Sequence, residues 1–463
     1  METDLQVKEA TTLENSAKVE SNEKLFGTMP INKLFIKCAI PSALAMFFSS
    51  IYMMADGMFV GHYVGSEALA AVNLIMPIIM IVFALADMIA IGSSVNISMY
   101  LGKGEEEKGN NLFTISLILI GLIGAVMSIL GIFFLDDVIA IAIKEKELVN
   151  IAYNYAKPFM YVLFLIMPFF AVDNYLRVCG KEKLSMWINI TISLLNIVLD
   201  WLFIVQFNLG IKGAAYATAI SLCLGSIIII TLFSMKKFTL KFVKPQIDFK
   251  EIGRVVYNGS SEFFSNITGS IMSMIVNVVV LSVGGVIGVA AYSVVMYVSG
   301  IITPIIFAIV DSVQPAVSYN YGAKNKERIL KIFKVSLIVS FIISVICFIA
   351  FILFPEQLAS IFAEGNDVEL IKMSKKAILI YAPAQLFIWF NIVVSMFMTS
   401  LDKPAYSLIL MFSSSVAIPL VLILILVPIF GINGVFAVAV VTQIIGFILS
   451  LILWKKTIKS LNQ

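Results

Sequence analysis

Residues 196 to 218 read NIVLDWLFIVQFNLGIKGAAYAT, which puts Asn196 and Asp200 on one apolar segment and Thr218 on the next, across a glycine-punctuated turn. A carboxylate at the centre of a membrane helix costs roughly 2.5–3.5 kcal/mol, so one retained in such a segment points to function. Four residues apart, Asn196 and Asp200 share one helical face. With the turn near 207–211, Asp200 and Thr218 each lie about seven residues from it, hence ~10 Å deep at ~1.5 Å per residue. Asp56, five residues before Gly61, comes to ~8 Å by the same rise. Two carboxylates and two neutral oxygens at one level suit a proton or a small hard cation, whose uptake relieves the repulsion between the acids.

Composition sets the solvent around these residues. Of 463 residues, 60% are hydrophobic and 13% charged, and the mean hydropathy is +1.00. That is the profile of an all-α polytopic membrane protein. A net charge of +3 gives no reason to expect a nucleic-acid partner. Cys38, Cys179, Cys223 and Cys347 lie far apart without metal-type spacing and read as packing residues. A single histidine, His62, and the lack of a GxxxxGK[ST] loop argue against acid–base catalysis and ATP hydrolysis. The chain reads as a non-enzyme that needs no cofactor, and no metal beyond a Na+ at the acid site.

Residues 1–30 read as a polar cytosolic tail rather than a signal peptide. Apolar stretches long enough to cross a bilayer, at ~20 residues each, follow at about 34–60, 67–100, 111–134, 150–178, 184–207 and 211–234. Six more lie at about 253–281, 286–319, 330–354, 373–400, 405–428 and 433–454, which makes twelve transmembrane helices. Loops assigned with the termini carry 25 of the 32 Lys and Arg, and the opposite loops carry six, Lys144 and Lys146 among them. By the positive-inside rule both termini are cytoplasmic in a multi-pass plasma membrane protein, a prokaryotic cell membrane being expected.

The chain also repeats. A shift of 220 residues pairs Gly65 with Gly285, Met76 with Met296, Ser98 with Ser318 and Gly102 with Gly322; at 221, Gly210-Ile211-x-Gly213 meets Gly431-Ile432-x-Gly434. Six spans per copy is an even number, so two pseudo-symmetric six-helix lobes of parallel topology are expected, at 31–234 and 255–463, joined by a basic linker at 235–254. Asp56, Asn196, Asp200 and Thr218 fall on Val276, Ala417, Val421 and Ala439. Either they form a functional site of the first lobe or they are a satisfied hydrogen-bond cluster; their absence from the second copy favours function.

The stretch from Asn196 to Thr218, with ADGMFVGHYVG at 55–65 and QPAVSYNYGAK at 314–324, resembles the multidrug and toxic compound extrusion (MATE) family over nearly all of the chain after the tail. The resemblance implies two lobes around a central cavity. It also implies export of mostly cationic, amphipathic compounds in exchange for H+ or Na+. Carried over by position, Asp56, Asn196, Asp200 and Thr218 are the coupling site. Other members place acids in the seventh and tenth spans. Here the tenth-span position holds Asn391, and Glu262 comes earlier in the seventh span than that family acid. A flippase for a lipid-linked precursor is the alternative within transport, although it would be expected to carry Arg or Lys inside its spans to hold phosphates. A channel or receptor is the alternative outside it. Partners are then small-molecule drugs or organic cations and membrane lipid, with no obligate protein partner.

Asp87, Asp311, Glu262, Gln314 and Asn391 are candidates for the substrate cavity or its mouth, and Pro41 for a hinge in the first span. Asp173 reads as a partner of Arg177 at i,i+4, and His62 as structural. Asp87 and Asp311 stand either as solvated helix ends or as groups that attract cationic substrates. If they attract substrate, neutralising both raises the apparent KM for a dicationic substrate more than for a monocationic one in vesicle transport; equal effects return them to a structural role.

Overall fold

The computed structural model describes residues 23–143, 146–361 and 368–461; most of the expected tail, residues 1–22, and Lys144 lie outside them. With no water in hydrocarbon, every backbone N–H and C=O must be paired within the segment, which makes the helix the default span. Among the described residues, twelve helices are long and apolar enough to cross. They are α1 (Ile31–Val64), α2 (Glu67–Lys103), α3 (Glu106–Ile141), α4 (Leu148–Val178), α5 (Glu182–Gln206), α6 (Ile211–Ser234), α7 (Phe249–Gly285), α8 (Ile287–Gly322), α9 (Lys326–Leu353), α10 (Val368–Ser400), α11 (Pro404–Phe430) and α12 (Ile432–Lys459). Each overlies one of the twelve apolar stretches read from the sequence, and most extend past it by a few residues at one end or both.

The internal repeat is visible in the backbone. Gly210 and Gly431, which open the last helix of each copy, have φ, ψ of 58°, −139° and 57°, −136°. Gly65 and Gly285 both take positive φ between consecutive spans, the left-handed region that glycine enters without a Cβ penalty.

Contacts gather the chain into two units. The first runs to Phe263 and takes in Pro315–Asn325; the second comprises Phe264–Gln314 and Lys326 onward. In the first unit α4 is the most buried span and packs against α2, α3 and α6, whereas α1 packs chiefly against α5. The first unit also holds the linker. Asn110 Oδ1 accepts from Lys241 N at 2.8 Å and Thr114 Oγ1 from Val243 N at 3.1 Å, while Asn111 both accepts from and donates to the Gln246 backbone. The basic linker is thus an extended strap pinned to the start of α3.

Glycine contacts bring α2 against the near ends of α7 and α8. A Cβ on Gly259 would overlap the Met88 carbonyl, and one on Gly92 the Val255 carbonyl. Gly102 lies on the Tyr319 carbonyl and Gly322 on that of Met99, a reciprocal contact between positions 220 residues apart. Because a backbone oxygen cannot rotate away as a side chain can, Gly259→Ala costs about 2 kcal/mol or more. Gly253, with nothing within 4 Å of its Cβ position, is the control. Thermal melting in detergent is expected to fall for Gly259→Ala and to stay unchanged for Gly253→Ala.

Candidate cation site

α5 and α6 form a hairpin closed by residues 207–210, with Asn208 and Gly210 at positive φ. Regular α-helix ends at Asp200, and Trp201–Gln206 continues as a wider π-helical turn. α1 ends in the same way, its last residues Val60–Val64 being π-helical. Such turns are rare and collect at functional sites because they turn side chains off the regular register.

Asp200 is fully buried and Asn196 nearly so. Asn196 satisfies both ends of its amide when Nδ2 donates to Asp200 Oδ2 (3.3 Å) and Oδ1 accepts from Thr218 Oγ1 (3.1 Å) and Thr218 N (3.2 Å). The amide thus ties Asp200 on α5 to Thr218 on α6. Asp200 Oδ1 has no hydrogen-bond partner, and neither has Asp56 Oδ1 on α1, both atoms being buried. The two carboxylates are close enough for the charge of Asp56 to act on Asp200. A buried acceptor left without a donor costs about 1–3 kcal/mol. The arrangement therefore favours anything small that supplies a proton or positive charge between the two oxygens. Among the described residues no group of three or more His, Cys, Asp or Glu side chains could hold a metal ion. An oxygen-only set of two acids, an amide and a hydroxyl suits H+ or an alkali cation rather than a transition metal.

Two tyrosines stand beside the acids, and the sequence reading missed both. Tyr52 on α1 and the buried Tyr155 on α4 both feel the charges of Asp56 and Asp200. Tyr52 precedes Asp56 by four residues, a spacing that places them on one face, so that signal was present. Nothing in the sequence around Tyr155 marks it.

The other candidates lie elsewhere. Pro41 sits inside a continuous helix from Ile31 to Phe59, where its missing N–H leaves the Lys37 carbonyl without its intrahelical donor. Asp87 on α2, Glu262 on α7 and Asp311 on α8 are half-buried. Gln314 is buried just past a two-residue break in α8, its Nε2 without a partner. Asn391 ties helices together: Nδ2 donates to Gln443 Oε1 at 2.7 Å on α12, and Oδ1 accepts from Ser450 Oγ at 3.0 Å. Asp173 pairs with Arg177 at 2.9 Å as its spacing implied, and His62 packs edge-on to Tyr63.

In the second unit, where Val276 occupies the repeat position of Asp56, the surroundings are apolar: Met272 and Val280 on α7, Leu422, Ile423 and Val427 on α11, and Val435 and Val438 on α12. A carboxylate there would enter a cluster of aliphatic side chains. Val276→Asp is expected to cost several kcal/mol, in the ~3–5 kcal/mol range of an uncompensated buried charge. The loss should appear as reduced folded yield and melting temperature; wild-type stability would show that this cluster can solvate an acid.

The MatE family model matches residues 41–202 and 263–425, one stretch in each half of the chain. Multidrug export protein MepA of Staphylococcus haemolyticus is 24% identical over 346 residues, 74% of this chain and 76% of that protein. MepA of Staphylococcus saprophyticus is 26% identical over 345 residues, covering 73% and 74%. Among solved structures, the outward-facing conformation of a multidrug resistance MATE family transporter of the MOP superfamily superposes with a TM-score of 0.90 at 24% identity, over 95% of this chain and 98% of that one. A MOP superfamily transporter from Pyrococcus furiosus, described by the reverse polarity of its binding pocket, superposes with a TM-score of 0.88 at 24% identity over 96% and 98%. At such identities the structures speak for the fold.

Proposed function

The chain belongs to the MATE family of transporters, and from that membership we propose that it is a secondary active multidrug exporter of cationic, amphipathic compounds, driven by antiport of H+ or Na+. The relatives named as multidrug export proteins support the reading as a drug exporter. The coupling reading is carried by the two partnerless carboxylate oxygens of Asp56 and Asp200 beside the Asn196–Thr218 tie. In this reading the protein sits in the cell membrane with both termini cytoplasmic, an orientation that the Lys and Arg distribution supports.

A proton or Na+ entering between Asp56 and Asp200 neutralises repulsion across the α1–α5 seam and draws α1 toward α5. Pro41 supplies the place where α1 bends to follow. Bound substrate is displaced as α1 moves, so drug and cation bind antagonistically, and linkage makes the effect reciprocal. In this reading the carboxylates Asp87, Glu262 and Asp311 supply fixed negative charge that raises the local concentration of organic cations, and Gln314 supplies a neutral polar contact to substrate.

Asp200→Asn keeps the shape and the amide-compatible hydrogen bonds but removes the exchangeable charge. It is expected to abolish uptake of a fluorescent cation into everted vesicles, where export runs inward, while inserting normally. In purified protein, drug affinity should weaken on going from pH 8 to pH 6, or on adding about 100 mM Na+, as reciprocal linkage requires, and Asp56→Asn should lose that dependence. Export at the wild-type rate by Asp200→Asn, or drug affinity indifferent to both cations, overturns the coupling site.

A further inference from the structure

α1 packs chiefly against α5. Cys38 Sγ donates to Glu182 Oε1 at 3.2 Å across a separation of 144 residues, and Asp56 and Asp200, the acids of the proposed coupling site, are also 144 residues apart. Eighteen residues, about 27 Å of helix, part the two pairs. Each end of the seam thus carries a buried carboxyl on α5, and only the Asp200 end belongs to the coupling site.

Glu182 opens α5, where a carboxylate is favoured by the free N–H groups of the first turn. That alone would leave it in water. Here it is buried, as is Cys38, and its second oxygen, Oε2, has no partner. Lys37 on α1 and Arg177 on α4 are the charged groups that act on it. A buried acid this poorly satisfied is costly where it stands.

The burial of α1 shows what that position does. All the buried residues of the helix Ile31–Phe59 lie between Leu34 and Ala45, and none lies between residues 46 and 59. The first half is closely packed, whereas the half that carries Asp56 is at most half-buried. Pro41 falls inside the packed half, three residues after Cys38.

We propose that Glu182 is a positioning residue for transport: by accepting the hydrogen bond from Cys38 it fixes the base of α1 to α5, so that bending near Pro41 is delivered to the Asp56 half. Without that anchor, neutralising the acid pair would slide or tilt α1 as a rigid rod, and cation uptake would do less work on bound substrate. The proposal rests on the reading of Asp56 and Asp200 as the coupling site.

The test uses the full chain in proteoliposomes with Cys179, Cys223 and Cys347 changed to Ala, so that Cys38 is the reporter. N-ethylmaleimide labelling of Cys38 is measured at pH 8 without Na+, at pH 6 and with Na+, beside KM and Vmax for export of a fluorescent cation. With Glu182 intact, Cys38 is expected to stay protected in all three conditions. Glu182→Leu should raise its labelling rate and lower Vmax, each about tenfold, the equivalent of one lost buried hydrogen bond, with KM within about twofold. Glu182→Gln, whose amide oxygen still accepts from the thiol, should restore both. The proposal is overturned if Cys38 becomes labelled on cation addition with Glu182 intact, if Glu182→Leu exports normally, or if Glu182→Gln fails as Glu182→Leu does, since charge and not the anchor would then matter. Asp200→Asn in the same background separates the two readings: cation-driven export that survives it refutes the coupling site, whereas Cys38 protection reports on the anchor alone.

Discussion

A carboxylate removed from water must be met by partners the protein itself provides, and the first unit is arranged around meeting that demand at Asp200. The amide of Asn196 supplies one bond from a turn earlier on the same helix, and Thr218 holds that amide from the next helix. Only a tight hairpin between α5 and α6 brings Thr218 to this level, which is why the closing residues include Asn208 and Gly210 at positive φ. What the hairpin leaves undone is as informative as what it does. One oxygen on each of Asp56 and Asp200 remains without a donor, and a site that is satisfied only when something arrives is a site that can report its occupancy to the helix beside it.

The same scaffold built without that demand occupies the second half of the chain. Gly210 and Gly431 differ by only a few degrees in either backbone angle. The left-handed residue that ends a helix recurs even where the glycine does not, at Gly104 and Lys324 and at Gly180 and Asp402. Backbone geometry was therefore retained at positions where side-chain identity was not. Around Val276 the repeat is filled by aliphatic side chains, while Asn391 of the second unit is satisfied by Gln443 and Ser450. The two halves are similar frames, and Asp56 and Asp200 have no acidic counterpart at the repeat positions Val276 and Val421.

Helix α1 is the part of the first unit on which the proposed mechanism turns. Its fully buried residues from Ile31 to Phe59 all lie in the base, between Leu34 and Ala45, while the outer half is at most half-buried, and its principal neighbour is α5, the helix that bears both Glu182 and Asp200. Tyr52 and Tyr155 lie close enough to feel both acids of the outer pair, so motion of α1 changes the surroundings of ionisable and hydroxyl groups on two other spans. By contrast α2 is fixed by backbone-to-backbone glycine contacts at Gly92, Gly102, Gly259 and Gly322, which leave no side chain to adjust.

The amino-acid sequence by itself determined the class of the protein, the twelve spans, and the repeat, because these depend on the length and order of apolar runs and on local backbone preferences. It also brought Asn196, Asp200 and Thr218 to one level, since helical rise and a single turn are enough to place residues on adjacent segments of one hairpin. Tertiary structure alone decided which residues from distant segments stand against one another. The meeting of Cys38 on α1 with Glu182 on α5, the approach of Tyr155 from α4, and the pinning of the linker to Asn110, Asn111 and Thr114 of α3 follow from helix packing, for which the chain carries no local signal. Glu182 shows the limit most plainly. It stands between Lys181 and Lys183 in the sequence, and its burial beside Cys38 is set by packing between helices far apart in the chain.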